Sequence, residues 1–283
     1  VIRVAKTGTP SLFFEADLDV NTDGSSRSYH PHDPRGSSLA LNNIANAIER
    51  IFDASGTDVT CSPRKGPCFQ RFISTFEAAR DSDWVPTGHP RITTDGMIPW
   101  QKQGGRLKPC LITSGPHGGY FVSQTSLIVD RSKAECDQAR YLDSLAFNAV
   151  VLPKYAKWSS QQRVLAEGDL VAVRNPLNRE LAFAVVGDRG NPNKLGEGTI
   201  RLAAQLSRKL IAGNETYAEV KALQLDVSHV VAFPQTDLRK SLGAFTQVDI
   251  DRLGRDAFEE WGGEARLAAC ARLGKKKRTR VAG

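Results

Sequence analysis

Leu181-Ala182-Phe183-Ala184-Val185-Val186-Gly187-Asp188, then Arg189-Gly190-Asn191-Pro192-Asn193-Lys194-Leu195, then Gly196-Glu197-Gly198-Thr199-Ile200-Arg201-Leu202-Ala203 is the most informative run of this chain. The opening apolar segment predicts a buried strand, over Glu180 to Val186. The Gly/Pro/Asn segment predicts a loop. Ile200, Leu202, Ala203, Leu206 and Leu210 predict either a short strand turning into a helix or one helix. An acid directly after a buried strand stands at the rim of a sheet. An acid between two glycines allows a ligand to approach closely. Two carboxylates joined by one loop are what hydrolysis of a glycosidic bond needs, one protonated for the leaving alcohol and one ionised for the water.

Outward from this run, Asn175 to Asn178 predict a turn linking it to a strand over Asp169 to Arg174, so the pair forms a hairpin. Further strands are expected at Asn148 to Leu152, Leu225 to Phe233 and Tyr120 to Val129. Near the start, Phe14, Ala16, Leu18 and Val20 alternate with Glu15, Asp17 and Asp19, predicting a strand with one buried face and one carboxylate face. Leu41, Ile44, Ala45, Ile48 and Ile51 carry helical spacing, with Ser37 or Ser38 as the cap. Residues 53 to 120 are rich in Gly, Pro, Ser and Asp and predict loops and short elements. Helices are expected near 248–253 and 256–273, interrupted by Gly262-Gly263. The whole is a β-rich α+β pattern.

With 283 residues, 40% hydrophobic and 24% charged, the chain has the balance of a globular protein and no apolar run long enough to span a membrane. The net charge of +7 owes five charges to Lys275, Lys276, Lys277, Arg278 and Arg280, while the first 60 residues carry an acidic excess. The expected organisation is one catalytic domain over 1–273 and a basic tail over 274–283, a solvated terminus rather than a nucleic-acid site. Cys61 and Cys68 flank a turn-rich loop that a disulfide could close, as in exported proteins, the alternative being buried thiols. Asp19 to Gly24 matches the start of a calcium loop, but position twelve is His30 instead of Glu, and a strand precedes it. His30, His32 and Asp33 read as a surface turn, and no metal or cofactor is expected. P-loop, Rossmann and nucleophile-elbow motifs are absent.

Ala184-Val185-Val186-Gly187-Asp188 followed by Leu195-Gly196-Glu197-Gly198-Thr199, with the upstream run Phe14-Glu15-Ala16-Asp17-Leu18-Asp19-Val20-Asn21-Thr22-Asp23-Gly24, resembles the family-75 glycoside hydrolases, a chitosanase family. The resemblance covers most of residues 11 to 207. It departs at Val186, where the family carries an aromatic, and at Arg189-Gly190, where it carries Thr-Asn. Asp-Arg-Gly-Asn-Pro is also similar to the Asp-Arg-Gly-Pro of double-psi barrel proteins acting on bacterial cell wall. Both likenesses imply a double-psi-like six-stranded β-barrel with peripheral helices.

The resemblance implies an endo-acting, inverting chitosanase, a secreted monomer whose leader is absent from this chain. Its catalytic pair would be Asp188 and Glu197. Glu197, beside glycines and an apolar element, is expected to be the general acid. Asp188, next to Arg189, is expected to be the general base. Asp17, Asp19 and Asp23 would line a groove for the polycation chitosan, and Tyr120 would stack on a sugar ring; Trp100 reads better as core. Competing readings are a peptidoglycan-active barrel enzyme and a non-catalytic expansin-like glycan-binding module.

Overall fold

The structure, a computed structural model, describes residues 2–61, 65–84, 91–94 and 96–279. The chain forms two compact units where the sequence suggested one domain. One comprises Val1–Asn21, Ser144–Asn214 and Val220–Gly283, the other Thr22–Asp143 with Glu215–Glu219.

The first unit is built on six strands: β1 (Leu12–Asn21), β2 (Ala149–Pro153), β3 (Leu170–Arg174), β4 (Leu181–Gly190), β5 (Glu197–Thr199) and β6 (Leu225–Phe233). Their order is β1-β5-β2-β4-β3-β6, and β6 pairs back onto β1, which closes a mixed barrel. Pairs β1/β5 and β2/β4 are parallel and the others antiparallel. This is the six-stranded barrel with peripheral helices expected from the sequence. The β3–β4 hairpin has the anticipated Asn175–Asn178 turn, with Asn175 N–H donating to Glu180 O at 2.9 Å.

Alternation holds in the second half of β1, where Leu18 and Val20 are buried, Asp17 is exposed and Asp19 half-buried. In the first half Phe13 and Phe14 are both buried and Glu15 and Ala16 both half-buried, so both faces are covered there. β4 differs because both its faces are covered, which explains its unbroken apolar run. Helix α1 (Ile200–Leu206) follows β5 directly, so the strand-into-helix alternative is the one realised. Its cap is Thr199, whose hydroxyl also donates to Phe147 O at 2.7 Å. Helix α2 (Gln247–Trp261) lies on β3 and β4. A side chain on its Gly254 would come within 2.7 Å of Phe183 Cβ, so glycine sets how closely helix and strand approach. Phe258 and Trp261 close this layer, and the Trp261 indole donates to Ser11 Oγ at 2.7 Å. Burying each such large side chain stabilises by about 1.5–3 kcal/mol. Gly262, at φ 113°, ends α2, and α3 (Gly263–Thr279) begins at once. The expected break is therefore present, but α3 continues into the basic tail as far as Thr279. Residues 280–283 of that tail lie outside the described residues.

The second unit packs Tyr29, Ile44, Ile48, Ile51, Phe69, Phe72, Phe76 and Phe121 into a separate core. Its main element is a 16-residue helix, Gly66–Asp81, in a region expected to hold only loops and short elements. Pro67 in the first turn and apolar residues at 69, 72, 73 and 76 give it helical logic within a turn-rich composition. The Cys61–Cys68 disulfide is present, and Cys110–Cys136 forms a second one that the sequence did not suggest. Two short antiparallel pairings complete it, Arg50–Phe52 with Arg91–Thr93 and the hairpin Trp100–Gln103 with Arg106–Pro109.

Two sequence expectations are overturned in this unit. The stripe 41–51 is not a helix: only Ile44–Asn46 turns, as a short 3-10 segment capped by Asn43, and Arg50–Phe52 is a strand. The serines meant to cap it are engaged by Asp33 instead. Its carboxylate accepts the N–H groups of Ser37 (3.0 Å), Ser38 (2.9 Å), Leu39 (2.7 Å) and Ala40 (3.0 Å), which folds the loop back on itself. Tyr120–Val129 is likewise not a strand, keeping only isolated bridges from Phe121 to Leu111 and Ile128 to Tyr141.

Asp33 is 5% exposed. Burial works against its charge, but the four backbone donors prevail and lower its pKa to about 2. A lowered folded-state pKa gives stability that is present above the unfolded value, near 3.9, and is lost as pH falls through the folded value. Asp33→Ala is expected to destabilise the protein by about 2 kcal/mol at neutral pH. The gap to wild type should close as pH drops from about 4 toward 2. Thermal unfolding across that range checks it; a gap that does not change with pH would refute the role.

Candidate active site

The site follows from strand register. Glu197 of β5 is paired with Asp19 of β1 on one side and with Val151 of β2 on the other. Val151 in turn is paired with Asp188 of β4. Paired residues of neighbouring strands project from the same face. Asp188, Val151, Glu197 and Asp19 therefore form one row across four strands. The adjacent row, Val186, Val150, Gly198 and Val20, faces the core.

Asp188 reaches this row through an irregularity. Val186 pairs with Val150 and Asp188 with Val151, so Gly187 is an extra residue, a β-bulge. In a regular strand position 188 would share the core-facing side of Val186. The bulge turns it to the side of Glu197. Asp188 is 7% exposed and accepts the Arg189 N–H at 2.8 Å.

Two glycines make room for the carboxylates, and a third serves the core. A side chain on Gly190 would sit 2.9 Å from Glu197 Oε2 and from Val151 Cγ1, so the Glu197 carboxylate extends over Val151 toward β4. Gly196 has φ 98°, and a side chain there would lie 2.3 Å from the Asp17 carbonyl and 2.4 Å from its carboxylate. Its own carbonyl accepts the Asp19 N–H at 2.8 Å, bringing the loop onto β1. A side chain on Gly198 would meet Leu18 and Leu202 at 2.9 and 3.0 Å, so its role is core packing.

Lys194 is the residue that sequence reasoning missed. Its ammonium pairs with Asp19 and lies 3.2 Å from Glu197 Oε1. Burial alone would lower its pKa, but the two carboxylates raise it above the ordinary lysine value. The one available signal was a lysine three residues before Glu197. Asp19 also accepts Gln224 Nε2 at 2.6 Å. Arg189, expected to influence Asp188, places its guanidinium 2.6 Å from Glu167 and donates to Ala156 O at 2.9 Å. Burial is the largest single influence on Glu167 and opposes its ionisation, but the Arg189 hydrogen bond, a backbone amide and the charges of Arg189 and Arg239 together outweigh it and hold the carboxyl below its usual range.

The structure thus brings together Asp17, Asp19, Glu197 and Asp188 within the barrel unit. Asp23 and Tyr120 belong to the second unit. Asp23 is buried there and accepts the Tyr29 hydroxyl at 2.6 Å. Tyr120 donates to Leu39 O at 3.2 Å and packs edge-on with His30 (4.6 Å) and His117 (5.7 Å). Trp100 is partly buried and donates to Thr94 at 2.9 Å. Among the described residues no group of three or more His, Cys, Asp or Glu is arranged to hold a metal ion. No described helix is long and apolar enough to cross a membrane.

The chain matches no protein-family model and no curated protein.

Gly196→Ala tests whether this loop geometry is required. The left-handed backbone and the contact with Asp17 O together predict a loss of about 3 kcal/mol or more. Chemical denaturation reads it directly, and a variant within about 0.5 kcal/mol of wild type would contradict the assigned contact.

Proposed function

We propose that this protein is an endo-acting glycoside hydrolase of the chitosanase type, cleaving β-1,4 bonds between glucosamine units with inversion. The observation that carries this reading is the register row that puts Asp188 and Glu197 on one face, two strands apart with Val151 between them. Neighbouring strands lie about 4.8 Å apart, so the two backbones are separated by about 9–10 Å. The Glu197 carboxylate extends back toward Gly190, two residues beyond Asp188 along β4, a rise of about 6.6 Å. Spacings of about 6.5–9.5 Å leave room for the attacking water of an inverting mechanism.

We assign the two roles in the opposite sense to the sequence expectation. Glu197, which lies beside the Lys194 ammonium, is assigned the activation of water. Asp188, the more buried of the two, is assigned the proton that goes to the leaving oxygen. Substrate class is supported by the same ion pairs. Asp19 and Glu197 already hold a primary ammonium, that of Lys194, and a glucosamine unit carries the same group. Asp17, exposed on the same face of β1, extends the acidic surface. Two disulfides support function in an oxidising, extracellular setting.

The test is release of reducing ends from chitosan, with the anomeric configuration of the product followed by NMR. Asp188→Asn and Glu197→Gln should each reduce turnover by a factor on the order of 10² or more while the fold is retained, and the product should be inverted. Asp17→Asn should weaken turnover or binding. Full activity in Glu197→Gln would remove the site, and retained configuration would remove the mechanism. Release from purified cell wall but not chitosan would move the substrate to peptidoglycan. Binding without release would indicate a glycan-binding module.

A further inference from the structure

Apart from the carboxylate row, the barrel unit holds a cavity of about 580 Å³ bordered by Arg201, Gln205, Lys209, Leu210, Ile211 and Asp251. Arg201 and Gln205 are four residues apart on α1 and so share one side of it. Lys209 folds back on the end of that helix, its N–H donating to Ala204 O at 2.9 Å. Asp251 comes from α2 and accepts Gln247 Nε2 at 2.9 Å. Gln205 is engaged with Asn148 Nδ2 at 2.7 Å.

The charges of this cavity are unbalanced. Among the described residues neither the Arg201 guanidinium nor the Lys209 ammonium has an acidic partner, and Arg201 Nε is buried without an acceptor. A buried N–H of a charged group left without an acceptor is costly, and such groups in folded proteins are generally satisfied by protein, water or ligand. A guanidinium fork that borders the same cavity as a second cation matches the two oxygens of a carboxylate. Half-buried Ile211 offers an apolar surface, and Asp251 offers an acceptor and repels a second negative charge.

We propose that this cavity binds a small organic carboxylate that also carries a hydrogen-bond donor. The carboxylate is held by Arg201 and Lys209, the carbon frame lies against Ile211, and Asp251 accepts from the donor. The site is independent of the chitosanase reading, because none of its residues belongs to the carboxylate row.

Titration calorimetry of the full chain with D-glucuronate tests it, with methyl β-D-glucoside as the neutral ring of similar size and inorganic phosphate as the plain anion. Saturable glucuronate binding in the millimolar range or tighter is expected, weakened about tenfold in Arg201→Met and several-fold in Lys209→Met. The glucoside and phosphate should bind more weakly than glucuronate. Thermal unfolding verifies that the variants fold. Should Arg201→Met fail to fold, Arg201→Lys, which keeps the charge but loses the fork, together with Lys209→Met decides the matter. No saturable binding, equal affinity in folded Arg201 and Lys209 variants, or equal affinity for glucoside or phosphate would overturn the proposal.

Discussion

Closure of the barrel through β1 is the constraint on which the rest of the first unit depends. β1 is ten residues long and is bonded along one edge by β6 and along part of the other by β5. A sheet closed in this way has no unpaired central edge, and its strands must obey a single register. That register sets the row Val186, Val150, Gly198 and Val20 against the core and the row Asp188, Val151, Glu197 and Asp19 on the opposite face. The acidic surface is thus a by-product of how the strands are locked.

Two local departures from regularity convert that lock into a site. The Gly187 bulge rotates the end of β4 so that a carboxylate joins Glu197 on one face, where an unbroken strand would have faced it to the core. The left-handed Gly196 brings the loop down on β1 and aligns a strand of only three residues, β5, between two longer ones. Position 196 is a glycine because its left-handed backbone and its closeness to Asp17 leave no room for a side chain. Lys194 then neutralises part of the charge that this crowding creates, bridging carboxylates of β1 and β5.

The second unit is stabilised differently. It has few regular strands, so its loops are tied by two disulfides, by a separate aromatic and aliphatic core and by side chains that take backbone hydrogen bonds. Asp33 is the clearest of these, a single carboxylate serving four consecutive amides. A histidine-rich turn near a carboxylate can suggest a metal site in the sequence. Here the carboxylate is consumed in shaping the loop.

The sequence by itself determined the strands with a strong local pattern. β1 has alternation, β3 and β4 have a hairpin turn between apolar runs, β6 is a compact apolar segment, and the Gly262-Gly263 break divides α2 from α3. It also showed Asp188 and Glu197 as acids at the ends of buried or glycine-flanked segments, because those features lie within a few residues of each other. It did not show Gly66–Asp81 as a helix, since turn-forming residues around it masked the spacing of Phe69, Phe72, Ile73 and Phe76. It misread 41–51, where the apolar residues are buried but the amides of the expected cap are taken by Asp33. Only the tertiary structure decided which carboxylates meet. Asp19 and Glu197 are neighbours through a parallel pairing between segments about 180 residues apart, and Asp188 joins them through a one-residue bulge. Parallel register and bulges are set by the closure of the whole sheet, a long-range condition that no local periodicity records.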